Sequence, residues 1–182
     1  MYKAATLVAL LASPAAATGI AIEVAGEGAN GTITIDLFED VAPAHTARIA
    51  GLATDGTYDG VVFHRVIEGF MAQTGDVQYG KNPSDLSQAG RGGSDEADLP
   101  AEFSELPFDR GVVGMARSQN PNSANSQFFI MFEPGYFLNG QYTVVGTVTD
   151  GLEVLDAIKL GTGPNGSLIG LPDVMKSVTV ID

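Results

Sequence analysis

The sequence contains no cysteine and no tryptophan, and its 182 residues include only 9 basic residues against 22 acidic ones. Without cysteine, a disulfide scaffold, a thiolate metal site, a cysteine nucleophile and a lipid-modified N-terminal cysteine are excluded. The formal net charge of −13 argues against a nucleic-acid partner, which requires a basic face, and against attraction to anionic lipid. Charged residues make up 17% of the chain and apolar residues 45%, so a folded domain with a real core is expected.

The first 17 residues, MYKAATLVALLASPAAA, have the three-part pattern of a secretory signal peptide. Lys3 supplies a positive charge, an apolar run of about nine residues follows it, and the small residues of Ala15–Ala17 offer a cleavage site. The run is shorter than the roughly 20 residues of a membrane span. We therefore predict a signal peptide over 1–17 and a single domain over 18–182, with no membrane anchor after cleavage. The alternative is a buried or frayed N-terminal helix.

Two segments of the predicted domain, Ile20–Val24 and Thr32–Leu37, alternate apolar and polar residues with the period of a β-strand. A turn-rich stretch separates them, so we predict an antiparallel hairpin. Shorter strand patterns and two segments of helical spacing follow. The strands are predicted over 61–67, 70–73, 112–116, 127–132, 142–148 and 174–180, and the helices over 40–54 and 152–158. Many short strands with two helices favour a mainly β fold, although the pattern does not distinguish a barrel from a sandwich.

Patterns of acid–base or metal catalysis are weak in this sequence. His45 and His64 are nineteen residues apart, which is poor evidence for a metal site, and no G-x-S-x-G turn is present. The segment Gly80–Leu99 holds glycine, serine, asparagine, aspartate and a proline with little apolar periodicity, and it is predicted to be a long loop, which in a compact domain is often functional. The acidic residues that follow lack the order of a calcium loop and are interpreted as a solvated segment. We predict no metal.

The segment from Phe63 to Asp76, FHRVIEGFMAQTGD, places one permanent cation, Arg65, among apolar residues. If the segment is a strand with a bend at Gly69, odd-numbered side chains share one face. That face would carry Phe63, Arg65, Ile67, Met71 and Gln73. Because a half-buried arginine needs partners, the alternative is a structural arginine paired with an aspartate or glutamate.

Several short motifs occur in order along the chain: Tyr58-Asp59-Gly60, Phe63-His64-Arg65, Gly69-Phe70-Met71-x-Gln73-x-Gly75-Asp76, Gly114-Met115-Ala116, Asn125-Ser126-Gln127-Phe128-Phe129-Ile130 and Phe137-Leu138-Asn139-Gly140. In order and spacing they resemble the cyclophilin-type peptidyl-prolyl cis-trans isomerases, over about residues 20–181. The resemblance implies a closed eight-stranded antiparallel β-barrel capped by two α-helices, which agrees with the predicted elements.

The resemblance also implies the residues of an active site. It assigns Arg65 as the catalytic group and His64 as a supporting residue. A proline pocket is implied from Phe70, Met71, Phe129 and Leu138, and the rest of the groove from Ile67, Gln73, Ala116, Gln127, Phe137 and Tyr142. No cofactor is expected. The expected partners are proline-containing unfolded or partly folded proteins, bound by a monomer.

The sequence departs from the eukaryotic pattern of that family in several places. Phe137 stands where tryptophan is frequent, Tyr142 where histidine is frequent, and Val145 where phenylalanine is usual. The stretch 117–125 is one residue longer, which leaves Arg117 as a tentative contact. The aromatic wall is kept, but Phe137 lacks the indole N–H donor, so we expect weakened binding of cyclosporin.

The predicted activity explains the missing acid–base residues, because rotation about an X–Pro bond breaks no σ bond and needs no lasting proton transfer. We expect the protein to accelerate that rotation in exported proteins and so to assist their folding. The expected location is the periplasm, or outside the cell if the source lacks an outer membrane. Two alternatives stay open: a chaperone that holds proline-containing clients with little catalysis, and a scaffold protein that uses the 80–99 loop.

Overall fold

The computed structural model describes residues 18–182, so the predicted signal peptide lies outside the described residues. Within 18–182 the chain forms nine strands and two α-helices. The strands are β1 (Gly19–Ala25), β2 (Gly31–Leu37), β3 (Val61–Val62), β4 (Arg65–Ile67), β5 (Met71–Thr74), β6 (Val112–Met115), β7 (Phe128–Met131), β8 (Val144–Asp150) and β9 (Val174–Ile181), and the helices are α1 (Pro43–Thr54) and α2 (Leu152–Ala157). The strands form one antiparallel sheet in the order β3-β9-β1-β2-β8-β6-β7-β5-β4.

The predicted hairpin is confirmed as β1 and β2. Ile20 lies opposite Ile35 and Ile22 opposite Ile33, and all four side chains are buried in the core. Because side chains alternate between the two faces of a strand, this register places every isoleucine of the pair on the inner face. Burial of such a row is the main reason why the period-two pattern predicts the structure correctly here.

The predicted strand over 61–67 is divided in the structure into β3 and β4. Phe63 and His64 separate them. The Phe63 N–H donates to the carbonyl of Asp173 at 2.9 Å, one step beyond the β3–β9 pairs in the same register, and the strand breaks after it. Since β3 and β4 stand at opposite ends of the strand order yet are two residues apart in the chain, the sheet curls back on itself into a barrel-like layer. The mainly β, barrel-like fold is confirmed, and this division accounts for nine strands where eight are predicted.

The division also corrects the predicted face of this segment. Phe63 is fully buried in the main core with Val66 and Ala72, whereas Arg65 and Ile67 are half-buried on the opposite face. The two residues between β3 and β4 shift the alternation, so Phe63 does not share a face with Arg65. The prediction that placed them together is wrong.

Both helices cover the curled sheet. Helix α1 has Pro43 in its first turn and packs Ile49 and Leu52 into the core beside β1 and β9. Its first turn receives a carboxylate from a distant segment: Glu102 accepts hydrogen bonds from the backbone N–H of Ala44 at 3.2 Å and of His45 at 3.1 Å. A carboxylate satisfies the unpaired N–H groups of a helix start and complements the helix dipole. At least this member of the predicted solvated acidic segment therefore has a structural role.

Apolar side chains of the described residues form two clusters on opposite faces of the same strands. The larger one fills the inside of the curled sheet. The smaller one lies on the other face of β5, β6 and β7 and consists of Met71, Phe108, Val112, Phe129, Met131, Leu138 and Val144. Strand β7 contributes Phe128 and Ile130 to the first cluster and Phe129 and Met131 to the second. The second cluster is the floor of the candidate site. None of the helices within 18–182 is long and apolar enough to cross a membrane.

Candidate active site

Strand register places one row of residues across four neighbouring strands. Arg65 of β4 pairs with Gln73 of β5, Gln73 pairs with Phe129 of β7, and Phe129 pairs with Gly114 of β6. Directly paired residues project from the same face, so the guanidinium, the amide and the ring are neighbours. Gly114 has to lack a side chain, because a Cβ there would lie 2.5 Å from Cζ of Phe129 and 2.6 Å from Cε1 of Phe108. At the end of the row the ring of Phe129 therefore packs directly over the backbone of Gly114.

A cavity of about 230 Å³ opens over this row, between the sheet and a short 3-10 turn at Tyr136–Leu138. Met71, Phe129 and Leu138 form buried walls, whereas Phe137 is 67% exposed at the rim. The described residues that line the cavity are Arg65, Phe70, Met71, Gln73, Ala116, Arg117, Phe129, Phe137, Leu138 and Tyr142. The structure thus brings nine of the predicted site residues together, and Arg117, the additional contact considered from the sequence, lines the cavity with them.

Aromatic contacts hold the walls of the cavity. Phe137 packs on Phe70 with a ring-centroid distance of 5.5 Å, and Phe129 packs edge-on against Tyr142 at 5.8 Å. The guanidinium of Arg117 lies 4.3 Å from the centroid of the Tyr142 ring, a cation–π geometry. Its N–H groups also donate to the carbonyl of Gln141, at 3.2 Å from Nε and 2.8 Å from Nη2. These contacts fix Arg117 as part of the rim.

The guanidinium of Arg65 is held entirely by neutral acceptors. Nη1 donates to Oε1 of Gln73 at 3.1 Å, Nε to the backbone carbonyl of Asn165 at 3.0 Å, and Nη2 to Oδ1 of Asn165 at 3.1 Å. The ion pairs formed within residues 18–182 do not include Arg65, so the alternative of an arginine paired with a carboxylate is wrong. Burial lowers the pKa of Arg65, and the nearby Tyr142 partly opposes that effect.

A chain of amides sets the direction of the Gln73 hydrogen bonds. Nε2 of Gln127 donates to the carbonyl of Gly92 at 2.8 Å, and Nε2 of Gln73 donates to Oε1 of Gln127 at 3.0 Å. A backbone carbonyl can only accept, so both amides are oriented and Gln73 presents Oε1 to Arg65. One N–H of Gln73 Nε2 then has no hydrogen-bond partner within the described part of the chain. That N–H is available to a carbonyl of a ligand.

The carbonyl at the start of this amide chain belongs to the predicted long loop. The buried carboxylate of Asp76 accepts four backbone N–H groups, from Gln78 at 3.1 Å, Tyr79 at 2.8 Å, Gly90 at 2.7 Å and Gly92 at 3.0 Å. Hydrogen bonds of this kind, to a charged acceptor, are stronger than neutral ones. Asp76 therefore fixes the loop where it contacts the site.

A second cavity, of about 550 Å³, opens beside the first and shares Gln73, Ala116 and Arg117 with it. Gln127 lines this larger cavity and not the smaller one. The loop residues 90–94 form another part of its wall. Gln127 thus belongs to the second cavity, whereas Gln73, Ala116 and Arg117 form the boundary between the two.

Two other predicted residues lie outside both cavities. Ile67 is half-buried and packs against Gly166, beneath the turn that contacts Arg65. His64 is buried, and burial lowers its pKa to about 4, an effect that the charge of Asp76 opposes and that of Arg65 reinforces. Neither ring nitrogen of His64 makes a well-aligned hydrogen bond among the described residues, although the Val62 backbone and the Gln127 side chain lie near the ring and weakly oppose the lowering of its pKa. His64 is therefore neutral near pH 7 and does not contact the apolar cavity.

Five residues that shape the site were given no role from the sequence: Asn165, Gly92 and Phe108, and also Asp76 and Gly114, which stand within the quoted motifs. A glycine within a strand pattern is a signal of close approach by another group, so Gly114 could have been found. Phe108 follows a proline in a stretch without strand periodicity, yet its ring stacks on that of Phe129 with centroids 5.7 Å apart. The other three act through backbone or loop contacts that span long sequence separations.

Fold and site together define a protein with an apolar groove beside a fixed hydrogen-bond donor, and comparisons with known proteins identify its class. A family model described as "Cyclophilin type peptidyl-prolyl cis-trans isomerase/CLD" matches residues 20–180. A probable peptidyl-prolyl cis-trans isomerase of Brucella suis is 55% identical over 153 residues, which cover 83% of this chain and 78% of the relative. The chain therefore belongs to the cyclophilin-type peptidyl-prolyl cis-trans isomerases.

Solved structures agree with this assignment. A Cryptosporidium parvum cyclophilin type peptidyl-prolyl cis-trans isomerase matches with a TM-score of 0.77 at 26% identity, covering 92% of this chain and 99% of that one. The Cryptosporidium structure obtained in the presence of the dipeptide Ala-Pro matches with a TM-score of 0.75 at 28% identity, covering 90% and 99% of the two chains. The protein is thus an isomerase of the cyclophilin type, and this class assigns it an enzymatic activity that the scaffold alternative lacks.

Proposed function

We propose that this isomerase binds proline-containing segments with the proline ring in the cavity of about 230 Å³ and that Arg65 is its catalytic residue. The observation that carries the proposal is a guanidinium held by neutral acceptors at the edge of a buried apolar cavity. Met71, Phe129 and Leu138 offer the ring an apolar surface. The Cryptosporidium relative studied with Ala-Pro supports a proline-containing ligand.

The chemistry follows from the electronic structure of the amide. Resonance in the X–Pro bond creates a barrier of roughly 18–20 kcal/mol, and in the twisted transition state the prolyl nitrogen regains its lone pair. A guanidinium N–H aimed at that nitrogen binds the twisted form more strongly than the planar one. A charge-assisted hydrogen bond contributes about 1.5–3 kcal/mol, which is one to two decades of rate. Arg65 suits this task because its cation is not paired with a carboxylate.

The remaining site residues hold the substrate while its carbonyl turns. The unpartnered N–H of Gln73 is positioned to bind a substrate carbonyl, because the amide chain through Gln127 fixes its direction. The rim residues Phe137 and Tyr142 limit the groove with aromatic surface. Binding of the apolar ring and of one carbonyl leaves rotation about a single bond as the remaining motion.

The experiment compares Arg65→Ala with Arg110→Ala, a matched control whose guanidinium pairs with Asp156 and does not line either cavity. In a protease-coupled assay with a short proline peptide, we expect Arg65→Ala to lose at least tenfold in kcat/KM while its unfolding midpoint stays unchanged. The control should keep full turnover. Full activity of folded Arg65→Ala would remove Arg65 from the mechanism.

We further propose that the enzyme is exported, works as a monomer and assists the folding of exported proteins. The residues 1–17 support export, and the absence of cysteine leaves no thiol to misoxidise in an oxidising compartment. N-terminal sequencing of protein from fractionated cells tests the first point, where retention of Met1 in the periplasmic or secreted fraction would contradict cleavage. Gel filtration of the mature protein tests the monomer, and refolding of an exported client with a slow proline phase tests the role in folding.

A further inference from the structure

The short turn Pro164–Gly166, which contacts Arg65 through Asn165, has an unusual backbone conformation. Asn165 has φ 54° and ψ 32°, and it is the one non-glycine residue with positive φ among residues 18–182. That left-handed conformation is unfavourable for an ordinary L-residue, and asparagine tolerates it better than most. Backbone conformations of this kind are retained where the surrounding structure requires them, and they cluster at functional sites.

The turn is anchored on both sides of Arg65. The Leu168 N–H donates to the carbonyl of His64 at 3.1 Å, and the Gly161 N–H donates to the carbonyl of Val66 at 2.9 Å. Ser167 forms an isolated antiparallel bridge with Arg65 itself. Because these contacts attach to the residues before, at and after Arg65, the tip of the turn is fixed directly above the guanidinium.

From this position Asn165 supplies two acceptors to one guanidinium. Its backbone carbonyl accepts from Nε at 3.0 Å and its Oδ1 accepts from Nη2 at 3.1 Å, while Gln73 accepts from Nη1 on the far side. A guanidinium has five N–H groups in one plane, so these three bonds define the orientation of the plane. One N–H on each Nη is left, and the one on Nη1 lies beside Sδ of Met71 at 3.9 Å, at the cavity wall.

The residue type fits the position better than its alternatives. Glycine would tolerate the backbone conformation but would lose Oδ1, alanine would lose Oδ1 and strain the turn, and aspartate would place a negative charge against the cation. An amide oxygen orients the guanidinium and leaves its charge available. Only the side-chain bond can be removed by mutation without disturbing the turn, and this makes the role testable.

We infer that Asn165 is a positioning residue for the isomerase reaction, which holds the Arg65 guanidinium plane so that its free N–H groups face the prolyl nitrogen. The inference rests on the proposed catalytic role of Arg65. Asn165 does not line either cavity, so it acts through Arg65 and not by contact with the substrate. Ile67, which packs against the neighbouring Gly166, supports the same turn.

The test measures kcat and KM separately for Asn165→Gly, which keeps the backbone acceptor and the left-handed turn. We expect kcat to fall about fivefold, the rate equivalent of one net hydrogen bond, with KM and the unfolding midpoint unchanged. Asn30→Gly is the matched control, because Asn30 is also exposed and also precedes a glycine, and it should keep wild-type kcat. An unchanged kcat in folded Asn165→Gly would overturn the inference.

The Arg65→Ala background separates positioning from a general structural effect. If Asn165 acts through Arg65, Asn165→Gly causes no further loss in that background. A fivefold loss there as well would show that the turn acts on the site without Arg65 and would overturn the inference. Full activity of Arg65→Ala alone would refute the proposed function, whereas inactive Arg65→Ala with fully active Asn165→Gly would refute the positioning role only.

Discussion

Buried His64 makes the stability of this enzyme depend on pH in a predictable way. Burial lowers its pKa to about 4 from an ordinary value near 6.5, because the protonated ring is desolvated. Of the two charges that act on it, Asp76 favours protonation and Arg65 opposes it. Replacing His64 by leucine or by glutamine removes the titratable group and keeps a side chain of similar size.

The sign of the effect follows from proton binding in the two states. Above pH 6.5 the ring is neutral in the folded and the unfolded chain, and no stability depends on it. As the pH falls from 6.5 towards 4, the unfolded chain takes up the proton and the folded chain does not, so the free energy of unfolding decreases. The change in pKa corresponds to about 3 kcal/mol once the pH has reached 4, and about 2 kcal/mol of this is lost by pH 5.

Urea unfolding of the wild type and both variants from about pH 7 to about pH 4 measures this loss, as a difference that cancels the titration of the carboxylates. We expect the stability of the wild type relative to each variant to fall by about 3 kcal/mol across the range. His64→Leu should also be no less stable than the wild type at pH 4, because by that pH the wild type has lost about 3 kcal/mol to proton uptake by the unfolded chain. A constant difference for both variants would mean that the folded chain protonates His64 normally.

Two further predictions concern the walls of the groove. Phe129→Ala should weaken binding of a proline peptide at least tenfold by NMR titration, because the ring forms a buried wall of the cavity; unchanged affinity would move the ligand elsewhere. Phe137→Trp should tighten cyclosporin binding in a competition assay, because it restores an indole N–H donor at the exposed rim; equal affinities of the two proteins would show that this donor does not set cyclosporin sensitivity.

Local pattern predicted the elements whose stability comes from one buried face. The β1–β2 hairpin is the clearest case, because Ile22 and Ile33 lie opposite each other on the buried face that the apolar–polar alternation predicts. The same reasoning failed for Phe63. Its N–H bonds to Asp173, 110 positions away in the chain, in continuation of the β3–β9 pairs, and the chain leaves that register before Arg65 pairs with Gln73 of β5. A period of two can be read only as long as the strand is continuous.

Motif resemblance located the apolar part of the site more completely than the polar part. The walls, such as Phe129 and Leu138, are contributed by side chains inside the motifs. The groups that orient Arg65 are different in kind, since they include backbone carbonyls of Gly92 and Asn165. A carbonyl has no sequence signature, and its placement depends on how a loop folds against a strand.

The donor-to-acceptor direction of the hydrogen bonds between Gly92, Gln127, Gln73 and Arg65 has a physical origin that the sequence does not show. Gln73 and Gln127 could each be rotated to exchange oxygen and nitrogen, and the residue types alone permit either arrangement. Because the carbonyl of Gly92 can only accept a hydrogen bond, it fixes the orientation of the Gln127 amide. The Gln127 oxygen then fixes the Gln73 amide, whose own oxygen faces Arg65. Asp76 holds the Gly92 carbonyl in place by binding the loop. In the proposed mechanism the 80–99 loop therefore supports the orientation that Arg65, which can only donate, also requires of Gln73, because the Gly92 carbonyl fixes Gln127 and with it the acceptor of the Gln73 N–H.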